Sequence, residues 1–151
     1  MAMPPGPAID SRRRWLAAVL LVAWASVIFT TSCFFIHRDT FIRFIGRGLP
    51  DGATRHGWSN LWLYAGLIFV KGYHMAEYAL LYCLLFFAAR TYLHKSVAQT
   101  TRIGIVCCIL YAASDEWHQT FVPGRGGTIV DVIIDTTGAL LAACLIARRL
   151  Q

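Results

Sequence analysis

Residues 61–89 read LWLYAGLIFVKGYHMAEYALLYCLLFFAA, and this stretch decides the fold. It is longer than the roughly 20 apolar residues that carry a helix across a bilayer. Its apolar character is interrupted by Lys71, His74 and Glu77. Three further stretches qualify beside it. Trp15 to about Ile36 is nearly unbroken. Ile103–Ala113 is short, but it reaches spanning length if the helix runs on through Ser114-Asp115-Glu116-Trp117-His118. Thr128–Ala147 carries Asp131 and Asp135 in its first half. The reading is an all-α membrane protein, a four-transmembrane-helix bundle with spans at about 15–36, 61–89, 103–118 and 128–147. Residues 12–151 form one domain behind a disordered N-terminus, residues 1–11.

Composition agrees. The chain has 151 residues, of which 57% are hydrophobic and 15% charged. A soluble domain of this size cannot hide so much apolar surface, so lipid is the solvent for much of it. The net charge of +6 raises nucleic acid as a partner. The basic residues fall at the ends of apolar stretches, however, and the bias of Lys and Arg toward the cytoplasmic face explains them without one. The five cysteines, Cys33, Cys83, Cys107, Cys108 and Cys144, sit in apolar runs without metal or disulfide spacing. They read as small core hydrophobes. Thr30-Thr31-Ser32-Cys33 is weakly like a lipoprotein cleavage site, but Thr30 fits poorly and the preceding run is long enough to span.

Charge sets the expected orientation. Arg12, Arg13 and Arg14 precede the first span, Arg90, Lys95 and Arg102 lie in the second connection, and Arg148 and Arg149 follow the fourth span. These eight face five on the other side, Arg38, Arg43, Arg47, Arg55 and Arg125, which mix with Asp39 and Asp51. The asymmetry places both termini in the cytoplasm of a multi-pass cell-membrane protein. In the outer connection, Phe41, Ile42, Phe44 and Ile45 share one side of a helical wheel, with Arg43 and Arg47 on the other. Either a short interfacial helix near 40–47 or a plain loop with anchoring aromatics fits that pattern.

Charges inside a membrane are expensive and are seldom idle. Lys71, His74, Tyr78 and Tyr82 recur at three- and four-residue spacing and form one stripe, with Glu77 on its flank. Asp131 and Asp135 lie one turn apart, on the same face as Thr128, Gly138 and Ala142. Two carboxylates so close share a proton, bind a cation or face a cationic side chain, for which Lys71 and Arg125 are candidates. On an ideal helix Glu116 and His118 point widely apart, so the 114–118 stretch either sits in a polar bundle mouth or unwinds there. In Pro123-Gly124-Arg125-Gly126-Gly127 the turn, the guanidinium fork and the small residues, next to the start of a helix, read as a seat for phosphate or carboxylate.

Ser114-Asp115-Glu116-x-His118-Gln119-x-Phe121-x-Pro123-Gly124-Arg125, followed by Asp131 and Gly138, resembles the signature of the VanZ-like membrane proteins. Lys71-x-x-His74-x-x-Glu77-Tyr78 is similar to that family's second-helix motif. The resemblance covers about residues 15–147. It departs at Asp135, where many relatives carry Asn, and the extra acid changes the local charge balance. The family takes its name from a member linked to teicoplanin-type glycopeptide resistance. The resemblance implies no resistance function here.

Three functions from different classes fit this inventory. The first is an enzyme, a hydrolase or transferase using acid–base chemistry on a lipid-linked or cell-envelope substrate. His118 or His74 would be the base, with Glu116, Asp115, Glu77 and Asp131 as its carboxylate partners in a candidate catalytic set. Lys71, Arg125, Gln119, Tyr78 and Asp135 are the candidate substrate-binding set. A divalent cation is an open cofactor, although no spacing is diagnostic of zinc. The second is a non-catalytic binder of a lipid headgroup, a cell-wall precursor or a glycopeptide. The third is a proton-coupled transporter, for which four spans without an internal repeat are a weaker basis.

Overall fold

The computed structural model describes residues 11–33, 57, 66–93 and 95–150 of the chain. The expected interfacial segment near 40–47 and the first ten residues lie outside the described residues. Four helices follow one another: α1 Ser11–Cys33, α2 Leu67–Leu93, α3 Val97–Gln119 and α4 Ile129–Arg149. All four are long and apolar enough to cross a membrane, and there is no strand among the described residues. At 1.5 Å per residue, the 21 residues of α4 run about 32 Å, matching a hydrocarbon core of about 30 Å.

Local chemistry explains where the helices start and stop. α3 begins at Val97, well before Ile103, because Ser96 caps it. The Gln99 amide donates to Ser96 Oγ at 3.3 Å and the Ser96 amide donates to Gln99 Oε1 at 3.2 Å, a reciprocal capping box. The helix then continues without unwinding through Ser114–His118 to Gln119. The 23 residues of α3 therefore reach spanning length by extending at both ends of the apolar run. Next comes a tight turn at Val122-Pro123-Gly124-Arg125, closed by the Arg125 amide on the Val122 carbonyl at 3.1 Å. Proline in the second position and Gly124 at φ 81° in the third make this a type II turn. Thr128 caps α4, its Oγ1 accepting from the Asp131 amide at 3.1 Å.

The bundle is organised around α2, which packs against each of the other three helices, most extensively against α4. α1 rests on α2 and touches α3 only slightly. The α2–α4 crossing depends on small residues. The buried face of α4 is Asp135, Gly138, Ala139, Ala142 and Ala143, and a Cβ on Gly138 would lie 2.0 Å from the Met75 carbonyl oxygen of α2. Helices in lipid gain nothing from hiding leucine, so close backbone approach carries the packing instead. Large apolar side chains accordingly point outward, among them Val22, Ile68, Leu110, Ile133 and Leu145. Exposed aromatics mark both ends: Trp15 and Tyr92 at one, and Trp117 and Phe121 at the other.

The helices alternate in direction. Tyr92 Oη near the end of α2 donates to the Arg14 carbonyl at the start of α1 at 2.7 Å. Ser32 at the end of α1 meets Asp115 near the end of α3. One end of the bundle therefore gathers Arg12–Arg14, Arg90, Lys95, Arg102, Arg148 and Arg149. The other, the mouth, holds Glu77, Asp115, Glu116, Asp131 and Asp135, the five acids among the described residues.

Candidate functional site

The mouth is built from the last turn of α1, the first turns of α2, the last turns of α3, the 120–128 loop and the first turns of α4. A cavity of about 190 Å³ opens there, lined by Val70, Lys71, His74, Glu116, Gln119, Gly124, Arg125, Gly126 and Asp131. Its charges are held in place. Lys71 Nζ pairs with Asp131 Oδ1 across the α2–α4 interface, and Thr128 Oγ1 donates to Asp131 Oδ2 at 2.9 Å. Glu116 Oε2 accepts from the Thr128 amide at 2.8 Å. Arg125 Nη1 donates to the Ser32 carbonyl at 2.9 Å and the Thr31 carbonyl at 3.3 Å. These are end carbonyls of α1, where the helix dipole favours a cation. The loop is thereby clamped to the first helix.

Beneath the cavity lies a second layer. His74 Nδ1 faces two carboxylates at 3.7 Å each, Glu77 Oε2 on its own helix and Asp135 Oδ1 on α4. Glu77 and Asp135 are 2% and 1% exposed. Glu77 Oε1 accepts from Thr31 Oγ1 at 3.3 Å, and its backbone carbonyl accepts from Trp24 Nε1 at 3.0 Å. Tyr78 and Tyr82 continue the stripe inward and are fully buried. The stripe thus divides by depth, with Lys71 and His74 at the cavity and the tyrosines in the core.

Asp115 stands between the charged cavity and a second recess, and His118 belongs to the second. Asp115 Oδ2 accepts from Ser32 Oγ at 2.8 Å and Gln119 Nε2 at 2.9 Å. His118 Nε2 lies 3.5 Å from Cys33 Sγ, and its ring packs on Phe29 with centroids 4.7 Å apart. Both residues line a separate, mostly aromatic recess of about 280 Å³ with Phe29, Tyr111, Ser114, Trp117 and Phe121. The helix stays intact here, so its wheel keeps Glu116 and His118 in different recesses. Of the two candidate bases, His74 lines the charged cavity. Ser32, Thr31 and Cys33 were not singled out from the sequence as site residues. The one available signal was that Thr30-Thr31-Ser32-Cys33 makes the last turn of the first span polar.

The glycines and amides of the loop are also engaged within the protein. A Cβ on Gly127 would lie 1.9 Å from the Glu116 backbone oxygen, so this glycine lets the loop press against α3. The Thr128 amide is taken by Glu116, and the Asp131 amide by the Thr128 hydroxyl. The protein's own carboxylates Glu116 and Asp131 already occupy the positive end of α4, where anions are favoured. Among the described residues, no three His, Cys, Asp or Glu side chains are arranged to ligate one metal ion.

A family model described as VanZ/LLP1 matches residues 15–150. The chain belongs to the VanZ/LLP1 family. The match takes in α1 from Trp15, all of α2, α3 and α4, and every residue of the mouth described above. For this VanZ-like membrane protein, neither the curated proteins nor the solved structures contain a match.

Proposed function

We propose that the mouth cavity performs acid–base chemistry on a phosphate-bearing, lipid-linked or cell-envelope substrate, with His74 as the base. One observation carries this reading: His74 lines a charged cavity while its Nδ1 edge faces the buried carboxylates of Glu77 and Asp135 at 3.7 Å each. A base held by carboxylates on one edge and open to a recess on the other is the arrangement general-base catalysis requires. Lys71 and Arg125 would meet the anionic group, and Glu116 would orient or return a proton. A cavity of about 190 Å³ suits a headgroup, with the acyl or prenyl part left along the lipid-facing helix flanks. The expected topology puts this mouth on the extracytoplasmic face.

A second reading, non-catalytic recognition of the same headgroup class, has its own support. Lys71 is paired with Asp131 and Arg125 bonds two carbonyls of α1, which suits a preorganised binding surface. A deletion strain profiled by untargeted lipidomics and cell-wall precursor analysis separates the two. The strain is complemented with wild type, His74→Gln, Glu116→Gln or Arg125→Gln. The catalytic reading expects His74→Gln to fail as fully as Arg125→Gln. Restoration by His74→Gln with failure of Arg125→Gln points to binding, and restoration by all three removes the mouth from function. A reporter fused after Gly126 should read as extracytoplasmic, and a cytoplasmic signal would invert the orientation.

A further inference from the structure

His118 closes the Ser114–His118 motif, yet the chemistry proposed for the charged cavity does not use it. It stands at the second recess, beside the last residue of α1. Its Nε2 is 3.5 Å from Cys33 Sγ. Cys33 thereby differs from the other cysteines: among the described residues, no other thiol is paired with a histidine. A half-buried thiol within hydrogen-bond reach of an imidazole is the pairing that turns a cysteine into a nucleophile.

The pair is assembled from two helices, and both sides are braced. Ser32 Oγ donates to Asp115 Oδ2 at 2.8 Å and ties the last turn of α1 to α3. Arg125 Nη1 holds the Thr31 and Ser32 carbonyls of the same turn. The Phe29 ring of α1 lies against the His118 ring, with centroids 4.7 Å apart. Nucleophile and base are therefore positioned before any substrate arrives.

Depth and lining name the substrate class. Cys33 is the last residue of α1 and His118 the last but one of α3. Each helix has 23 residues and runs about 34 Å at 1.5 Å per residue, slightly more than a hydrocarbon core of about 30 Å. Their ends stand at the boundary between acyl chains and headgroups, the depth of a glycerolipid's ester carbonyls. Trp117 and Phe121, both exposed and in edge contact, mark the same level. The recess that His118 lines, about 280 Å³, has Phe29, Tyr111, Trp117 and Phe121 as aromatic walls for an apolar chain. Among the described residues no Lys or Arg lines it, and Asp115 does, so it suits an uncharged chain and carbonyl rather than an anionic headgroup.

We propose that Cys33 is a nucleophile, with His118 as its base, that takes a fatty acyl group from a membrane glycerolipid ester. His118 Nε2 accepts the thiol proton as Cys33 Sγ attacks the ester carbonyl carbon. The bond from that carbon to the glycerol oxygen breaks, and the oxygen takes the proton from His118. One S-acyl cysteine and one lysolipid form for each ester consumed, with no oxidation or reduction. The acyl chain lies in the aromatic recess. This recess and the His74 cavity share no lining residue, so the site goes beyond the acid–base reading and does not depend on it.

The test uses the full-length protein in nanodiscs of ester-linked phosphatidylethanolamine and phosphatidylglycerol, with parallel nanodiscs of their diether analogues, which lack the carbonyl. Peptide mass spectrometry reads acylation at each cysteine, and lipid analysis reads lysolipid. In ester nanodiscs the wild type should carry a hydroxylamine-labile acyl group on Cys33, with at least one lysolipid released for each. Diether nanodiscs should give neither product. Cys33→Ala should abolish both, His118→Gln should slow both about 100-fold, and Cys144→Ala, which removes an exposed thiol, should leave both unchanged. A wild type with neither product overturns the site, as does acylation spread equally over Cys33 and Cys144, or a wild-type rate in His118→Gln. Should His118→Gln fail to fold, the pH profile of wild-type acylation decides. A rate that levels off above neutral pH supports the imidazole base, whereas one that keeps climbing about tenfold per pH unit into the alkaline range reports an unassisted thiol and overturns the pairing. Failure of His74→Gln to complement the deletion strain bears only on the charged cavity.

Discussion

The two ends of this bundle use charge in opposite ways. At the end where α1 begins and α4 finishes, eight arginines and lysines are exposed, and no acid stands among the described residues there. One of them, Arg13, lies over the Phe87 ring at 5.6 Å, and the backbone of Arg14 is pinned by Tyr92. At the mouth, five carboxylates and two cations are drawn inward, and each oxygen of Asp131 has a named partner. Solvated charges at a rim set topology and are individually worth little. Charges drawn below the rim must be paired or neutralised, so each one constrains several helices. The difference shows that net charge alone does not locate the end where the helices depend on one another's polar groups. Burial does.

That contrast can be broken by substitution, and the largest effect belongs to the packing that holds the mouth together. Gly138→Ala places a Cβ 2.0 Å from the Met75 carbonyl oxygen. It forces α2 and α4 apart, at an expected cost of about 3 kcal/mol, read by denaturant unfolding in micelles. A variant as stable as wild type would mean that this crossing does not depend on close backbone approach. Next comes Asp115→Ala, which strands the Ser32 hydroxyl and the Gln119 amide. About 2 kcal/mol should be lost, and double-mutant coupling to Ser32→Ala should be near the 0.6 kcal/mol typical of such pairs in lipid. Thr128→Ala removes the cap of α4 and should cost about 1 kcal/mol, together with faster amide exchange at Asp131. The smallest effect is expected at the other end, where Arg102→Gln should change stability by less than about 0.5 kcal/mol. If Arg102→Gln proved as damaging as Asp115→Ala, the division between a topogenic rim and a built mouth would fall.

Much of this was legible in the chain. Apolar runs located the four spans, and α3 reaches spanning length by continuing through the charged Ser114–His118 segment, as its length required. Helical periodicity placed Lys71, His74, Tyr78 and Tyr82 on one stripe, and Asp135, Gly138 and Ala142 on the buried face of α4. Capping was harder to see: Ser96 with Gln99 starts α3 at Val97, where the hydropathy pattern begins only at Ile103. The loop is ambiguous for a physical reason. Glycines and an arginine beside a helix start suit an external anion. They suit equally well a loop that packs on a neighbouring helix while the protein's own Glu116 supplies the anion.

The sequence by itself determined an all-helical membrane protein, its four spans, and the residues of each helix that must find polar partners, because period and hydropathy are properties of single helices. Only the tertiary structure decided which partners they find. Lys71 meets Asp131 rather than Arg125's neighbours. Asp115 turns to Ser32 of α1, Glu116 to the start of α4, and His118 to Cys33, away from the charged cavity. His74 is the histidine set between Glu77 and Asp135. All but His74–Glu77 join residues from different elements, and they follow from how the four helices rotate and cross on one another. No single helix encodes that rotation in its own periodicity.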